Sequence, residues 1–292
     1  MTVSADMFWN QMEAALSETP AEVHLQLDTF YSQPDWDIYQ MQYRSVGGYW
    51  LFAWLSVPKG EGTFPAVVRM PDYASVHDIV YTSLRDRAVV LNPTYRGQRN
   101  SDHTFKAEYP GLLTDGIEDS NSYVMRRVFA DALRGYDALF EQKVCNIGQT
   151  AVIGAGLGGS LALAVGAQRG FVDAVAVNTP MALGNPVSIT SGLAYPLGEL
   201  DDYLRMIPSD RDAVVESTSV LDPLNTASQV VAPVLLSVGI NDTGLCPISF
   251  GEELASLIQH CDLRVYHGAS EGGGHEHAQV QLSWLSDQLG LG

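Results

Sequence analysis

The stretch Gln149-Thr150-Ala151-Val152-Ile153-Gly154-Ala155-Gly156-Leu157-Gly158-Gly159-Ser160-Leu161-Ala162-Leu163-Ala164 decides the fold. Thr150 to Ile153 is short, apolar and β-branched, as expected of a strand covered on both faces. Ser160 to Ala167 is small and apolar, which suits a helix lying close against a sheet. The glycines between them permit positive φ and a close approach of helix to strand. A strand, a glycine turn and a helix in this order serve two kinds of chemistry. Gly154, Gly156 and Gly159 match the dinucleotide spacing G-x-G-x-x-G. Gly154, Gly156 and Gly158 match the nucleophile elbow G-x-S-x-G, except that glycine stands at the apex in place of serine.

Working outward, strands and helices alternate. Ala5 to Ser17 has the apolar spacing of an amphipathic helix, the core of an N-terminal lead-in over residues 1–35. Asp37 to Ser45 and Tyr49 to Val57 read as strands joined by a hairpin at Gly47-Gly48. Pro65 to Met70 and Arg87 to Asn92 read as strands flanking a polar loop, Pro71 to His77. Ser122 to Glu141 reads as a long helix and Phe171 to Asn178 as a strand. Residues 181–230 form an irregular, cap-like insertion with a helical piece at Glu199 to Met206. Pro233 to Gly239 and Asp262 to His267 read as strands, with helices at Ile248 to Gln259 and His275 to Leu289. This predicts an α/β fold in one domain over residues 1–292: a doubly wound, mostly parallel sheet, an N-terminal hairpin, and an insertion before the late strand that ends at Gly239.

The 292 residues suffice for a large core, and 46% of them are hydrophobic. A net charge of −18 argues against nucleic acid or an anionic membrane as partner. Cys145, Cys246 and Cys261 are odd in number and lack metal-ligand spacing, as expected of reduced thiols. The first 16 residues lack the basic start and apolar run of a signal peptide, and no run is long enough to span a membrane. The expected location is cytoplasmic, and no cofactor or metal is expected.

The dinucleotide reading requires an acid at the end of the next strand, about 20 residues on. That strand ends Val177-Asn178-Thr179-Pro180, and Asp173 comes before its body. The hydrolase reading requires an acid and then a histidine on loops after later strands. Asp242 follows the strand ending at Gly239, and Gly274-His275-Glu276 follows the last strand. Asp242 is thus placed to orient His275 toward the elbow. Glu276 and His277 are expected to face solvent or cap the helix.

Several motifs in one order resemble the acetyl xylan esterase / cephalosporin C deacetylase family, carbohydrate esterase family 7 of the α/β-hydrolases. They are Tyr95-Arg96-Gly97-Gln98, Tyr123 to Leu133 with Arg126-Arg127-Val128, the elbow, Tyr195-Pro196-Leu197-Gly198-Glu199, Asp242-Thr243 with Cys246-Pro247, and Gly274-His275-Glu276. The resemblance implies a Ser–Asp–His triad that deacetylates small esters of sugars or antibiotics. It maps the acid onto Asp242, the base onto His275, and the oxyanion hole onto the backbone N–H groups of Tyr73 and Leu157. It also implies a homo-oligomer, often a hexamer.

The departure is Gly156, at the family's serine position. Glycine cannot form an acyl-enzyme. Loss of the nucleophile in another serine hydrolase costs about 10⁶-fold in kcat. Ser160, a helical turn further on, is expected to bond to backbone instead. Three readings stay open: an esterase with an inactivating replacement, a non-catalytic binding protein, or a hydrolase or lyase using Asp242 and His275 as general base on water or a C–H bond.

Overall fold

The computed structural model describes residues 5–75, 79, 83–184, 195–242, 244–267 and 272–291. The end of the loop at His77, Thr243, the glycine loop before residue 272 and positions 185–194 of the insertion lie outside the described residues.

Nine strands form one sheet. In chain order they are β1 (His24–Asp28), β2 (Trp36–Ser45), β3 (Tyr49–Pro58), β4 (Thr63–Arg69), β5 (Val89–Pro93), β6 (Asn146–Ala155), β7 (Ala174–Asn178), β8 (Val234–Gly239) and β9 (Cys261–Tyr266). Their order across the sheet is β1-β2-β3-β5-β4-β6-β7-β8-β9. β1, β2, β3 and β5 pair antiparallel; from β5 through β9 every pairing is parallel. The β2–β3 hairpin turns at Gly47 and Gly48, with φ of 76° and 71°, as their sequence predicts.

Seven α-helices accompany the sheet among the described residues: α1 (Ala5–Ser17), α2 (Val124–Glu141), α3 (Leu157–Gln168), α4 (Gly198–Met206), α5 (Arg211–Ser219), α6 (Ile248–Leu257) and α7 (Gly274–Gln288). Helix α1 buries Phe8, Trp9, Met12 and Leu16. Trp9 meets Phe129 of α2 edge to face at 6.0 Å between centroids. The core lies in two clusters. The larger contains Leu161 and Val165 of α3 with Val152, Val175 and Leu236 of the strands. The smaller sets Leu285 of α7 against Val67, Ala151, Ala174 and Leu235. These sets are alternate residues of the same strands, so the sheet carries helices on both faces, the arrangement a parallel sheet requires. None of the described helices is long and apolar enough to cross a membrane.

The strand–turn–helix predicted around Gly156 forms as β6 and α3. Gly154 has no room for a side chain, since a Cβ there would fall 2.1 Å from the carbonyl oxygen of Gly158. Close packing of helix on strand thus depends on this glycine.

Candidate active site

Gly156 sits at the turn between β6 and α3 with φ 54° and ψ −122°. Only glycine is at ease in that region. The turn is fixed by its backbone: Gly156 N–H donates to the Asn178 carbonyl at 3.1 Å, and the Gly156 carbonyl accepts from Met181 N–H at 3.0 Å. The helix that follows points its first N–H groups back at the turn, an arrangement suited to anions.

The protein itself supplies the group that meets these donors. The Asp72 carboxylate, in the loop after β4, accepts the N–H of Leu157 at 2.9 Å and that of Tyr73 at 2.7 Å, both at Oδ1. The N–H of Gly158 also favours its charged form, while burial pushes its pKa up. These are the two donors that the family resemblance assigns to an oxyanion hole. The same carboxylate takes the space a side chain at the apex would need: a Cβ built on Gly156 lies 2.3 Å from Asp72 Oδ1. Asp72 and a residue larger than glycine at position 156 therefore compete for one volume.

The Asp72 loop is held from behind. Tyr95 Oη donates to the Asp72 carbonyl at 3.2 Å and accepts Ala74 N–H at 3.1 Å. Gln98 Nε2 donates to the Ser75 carbonyl at 3.1 Å. Arg96, between them in sequence, forks onto Asp131 of α2 at 2.7 Å and 2.8 Å, with both side chains buried. Planar bidentate pairing of this kind fixes orientation as well as charge. The Tyr95-Arg96-Gly97-Gln98 motif therefore braces the loop that carries Asp72.

Tyr73 leans the other way, toward α4 of the insertion. Its hydroxyl donates to Glu199 Oε1 at 2.6 Å and accepts Leu112 N–H at 2.8 Å. Leu113 N–H donates to Glu199 Oε2 at 3.2 Å. Burial raises the Glu199 pKa against these two hydrogen bonds. Tyr195 meets the Tyr73 ring edge to face at 5.6 Å. A cleft of about 610 Å³ opens here, lined by Tyr73, Tyr95, Leu112, Tyr195 and Glu199 among others. A smaller cavity of about 160 Å³ lies at the carboxyl ends of β4, β5, β6 and β7. Its polar wall comprises Arg69, Asp72, Ser75, Asn92, Asn178 and Gln281.

The expected acid and base are placed at strand ends but are not joined. Asp242 is buried after β8, and its Oδ1 accepts Gly244 N–H at 3.1 Å and Leu245 N–H at 2.9 Å, closing its own turn. His275 is exposed in the first turn of α7. Among the described residues no hydrogen bond links the two. Cys246 is buried near Asp242, and its thiol pKa is raised chiefly by burial and then by that carboxylate.

The expectation for His277 is corrected. It does not face solvent; it is fully buried, with Nδ1 3.0 Å from Tyr266 Oη, and its Nε2 has no partner. Burial, aided by Arg264, lowers its pKa to about 4. Ser160 bonds to backbone, its Oγ donating to the Met181 carbonyl at 2.9 Å. Asp72 was not foreseen among the site residues. Its signal in the sequence is an acid placed directly before Tyr73, a donor the resemblance assigns to the hole, in a chain with glycine at the apex.

The sheet order and the strand–turn–helix at the end of β6 are those of an α/β-hydrolase fold. The acetyl xylan esterase family model matches residues 4–288, and the chain belongs to that family. The fold closely matches an acetyl xylan esterase from Paenibacillus sp. R4, with a TM-score of 0.86 and 24% identity over 97% of this chain and 93% of that one. It also matches acetyl xylan esterase 1 from Thermoanaerobacterium sp. JW/SL YS485, with a TM-score of 0.85 and 20% identity over 99% and 95% of the two chains. The acetyl esterase Axe7A of Xylanibacter ruminicola is 24% identical over 255 residues, 83% of this chain. The alignment spans 57% of that protein's length.

Proposed function

We propose that this chain is a carboxylic-ester hydrolase scaffold of the acetyl esterase type, built for small acyl esters such as acetylated sugars, in which the serine route is closed. One observation carries the reading: the Asp72 carboxylate occupies both the oxyanion donors and the space of a nucleophile side chain. Acyl transfer needs a hydroxyl at the apex and an empty hole for the developing oxyanion. Here Gly156 supplies no hydroxyl, and an internal carboxylate satisfies the donors. The family membership supports the substrate class, and the cleft beside Tyr73 and Glu199 is the proposed place for the ester's alcohol portion. Asp242 and His275 keep the chain positions of acid and base. Their pairing requires His275 to turn inward from its exposed position.

Hydrolysis of p-nitrophenyl acetate by four proteins tests the reading: the parent, Gly156→Ser, Asp72→Gly and the double variant. The parent and both single variants are expected to be inert, and the double variant active. A Gly156→Ser protein as active as the double variant refutes the competition. An active parent refutes the closed route.

A further inference from the structure

The site retains one reactive group that serine chemistry does not use. Asp72 lines the 160 Å³ cavity at the strand ends, and its carboxylate is held in the elbow by the N–H groups of Tyr73 and Leu157. We propose that Asp72 is a carboxylate nucleophile acting on an sp³ carbon that bears an anionic leaving group, such as a small alkyl halide. The inference rests on the closed serine route argued above.

The position of the hole selects this chemistry over ester cleavage. If Asp72 attacked an acyl carbon, or activated water to do so, the new oxyanion would form on the substrate, where both donors are already taken. Displacement at an sp³ carbon develops no such oxyanion. One Asp72 oxygen remains in the hole and the other attacks. The new carbon–oxygen bond forms as the carbon–halogen bond breaks, and the halide leaves with the electron pair. Asn178 and Gln281 on the cavity wall carry amide N–H groups suited to an anion, and Arg69 supplies positive charge.

The product of that step is an ester of Asp72. Now the hole is where it is needed. Water attacks the Asp72 carboxyl carbon and loses one proton to solvent, while the oxyanion at Oδ1 is held by Tyr73 and Leu157. Collapse expels the alkoxide, which takes a proton from solvent and leaves as the alcohol. The remaining water proton goes to solvent as Asp72 ionises again. The oxygen from water stays in the Asp72 carboxylate. Helix α7 brings Gln281 to the cavity.

The test uses the full chain with 2-bromoethanol as probe, in H₂¹⁸O with enzyme in excess. Bromide release and ¹⁸O in the peptide carrying Asp72 are expected. Asp72→Asn should lower bromide release at least about 10³-fold, as loss of a nucleophile does. Absence of label in that peptide overturns the inference, as does alkylation confined to Cys145, Cys246 or Cys261. The label is read on the parent protein, so a misfolded variant cannot mimic the result. It is also independent of p-nitrophenyl acetate hydrolysis: rescue of ester cleavage in the double variant with an unlabelled Asp72 sinks this inference and leaves the closed serine route standing.

Discussion

The elbow and the start of α7 are the two halves that an ester-hydrolysing site would need, and they are built differently. At the elbow the functional groups are locked. Asp72 is bound to two N–H groups, and Tyr95 and Gln98 hold its loop from behind. At α7 the expected base is loose: His275 is exposed, and the imidazole fixed in the structure belongs to His277. The turn at the elbow is filled from within, while at the α7 end Asp242 and His275 share no hydrogen bond among the described residues. The difference teaches that the glycine apex and the carboxylate beside it are one arrangement: the space a side chain at 156 would need is occupied.

The largest effect expected from this contrast is a gain. Asp72→Gly with Gly156→Ser should raise p-nitrophenyl acetate turnover at least about 10³-fold over the parent, since nucleophile and oxyanion donors each contribute on that scale. Adding His275→Ala to that background should remove the gain, which locates the base at the exposed histidine. If the gain survives, the α7 half has another base.

Next in size is the brace behind the Asp72 loop. Asp131→Ala leaves the buried Arg96 guanidinium without its carboxylate, and urea unfolding should show a loss of about 3–5 kcal/mol. A loss below about 1 kcal/mol would mean that the elbow half is not rigidly supported.

The α7 half should show itself through pH. The unfolded chain binds a proton at His277 near 6.5 and the folded chain only near 4. Stability therefore rises with pH through that window, and as pH falls from 6.5 toward 4 it loses up to about 3 kcal/mol. His277→Gln should flatten this slope in thermal or urea melts. The smallest effect belongs to Tyr73→Phe, which strips Glu199 and the Leu112 N–H of a partner and should cost about 1–3 kcal/mol in urea unfolding.

Most of the fold was legible because its signals are local. Buried parallel strands such as Val175 to Val177 read as unbroken apolar runs, and α1 and α2 carry helical apolar spacing. Two elements escaped. Strand β1, His24–Asp28, lies at the sheet edge, and its sequence, His-Leu-Gln-Leu-Asp, is short, with its residues exposed or half-buried. Helix α5, Arg211–Ser219, is short and mostly polar. Site residues fared unevenly for a different reason. Gly156 is legible because backbone conformation at a turn is a local demand. Asp72 is not, because its carboxylate fills a space created by a glycine far along the chain. Nor does sequence reveal which histidine of α7 turns inward. At about 100° per residue, His275 and His277 point roughly 200° apart, so they leave the helix on different sides.

The competition for one volume is tested most directly by a double-mutant stability cycle. Gly156→Ser carries the strain of positive φ in any background, about 1–3 kcal/mol. With Asp72 present it must also displace a carboxylate whose Oδ1 lies 2.3 Å from the new Cβ. Urea unfolding should therefore show a larger cost for Gly156→Ser in the parent than in the Asp72→Gly background, by at least about 1 kcal/mol. Equal costs in the two backgrounds would contradict the account.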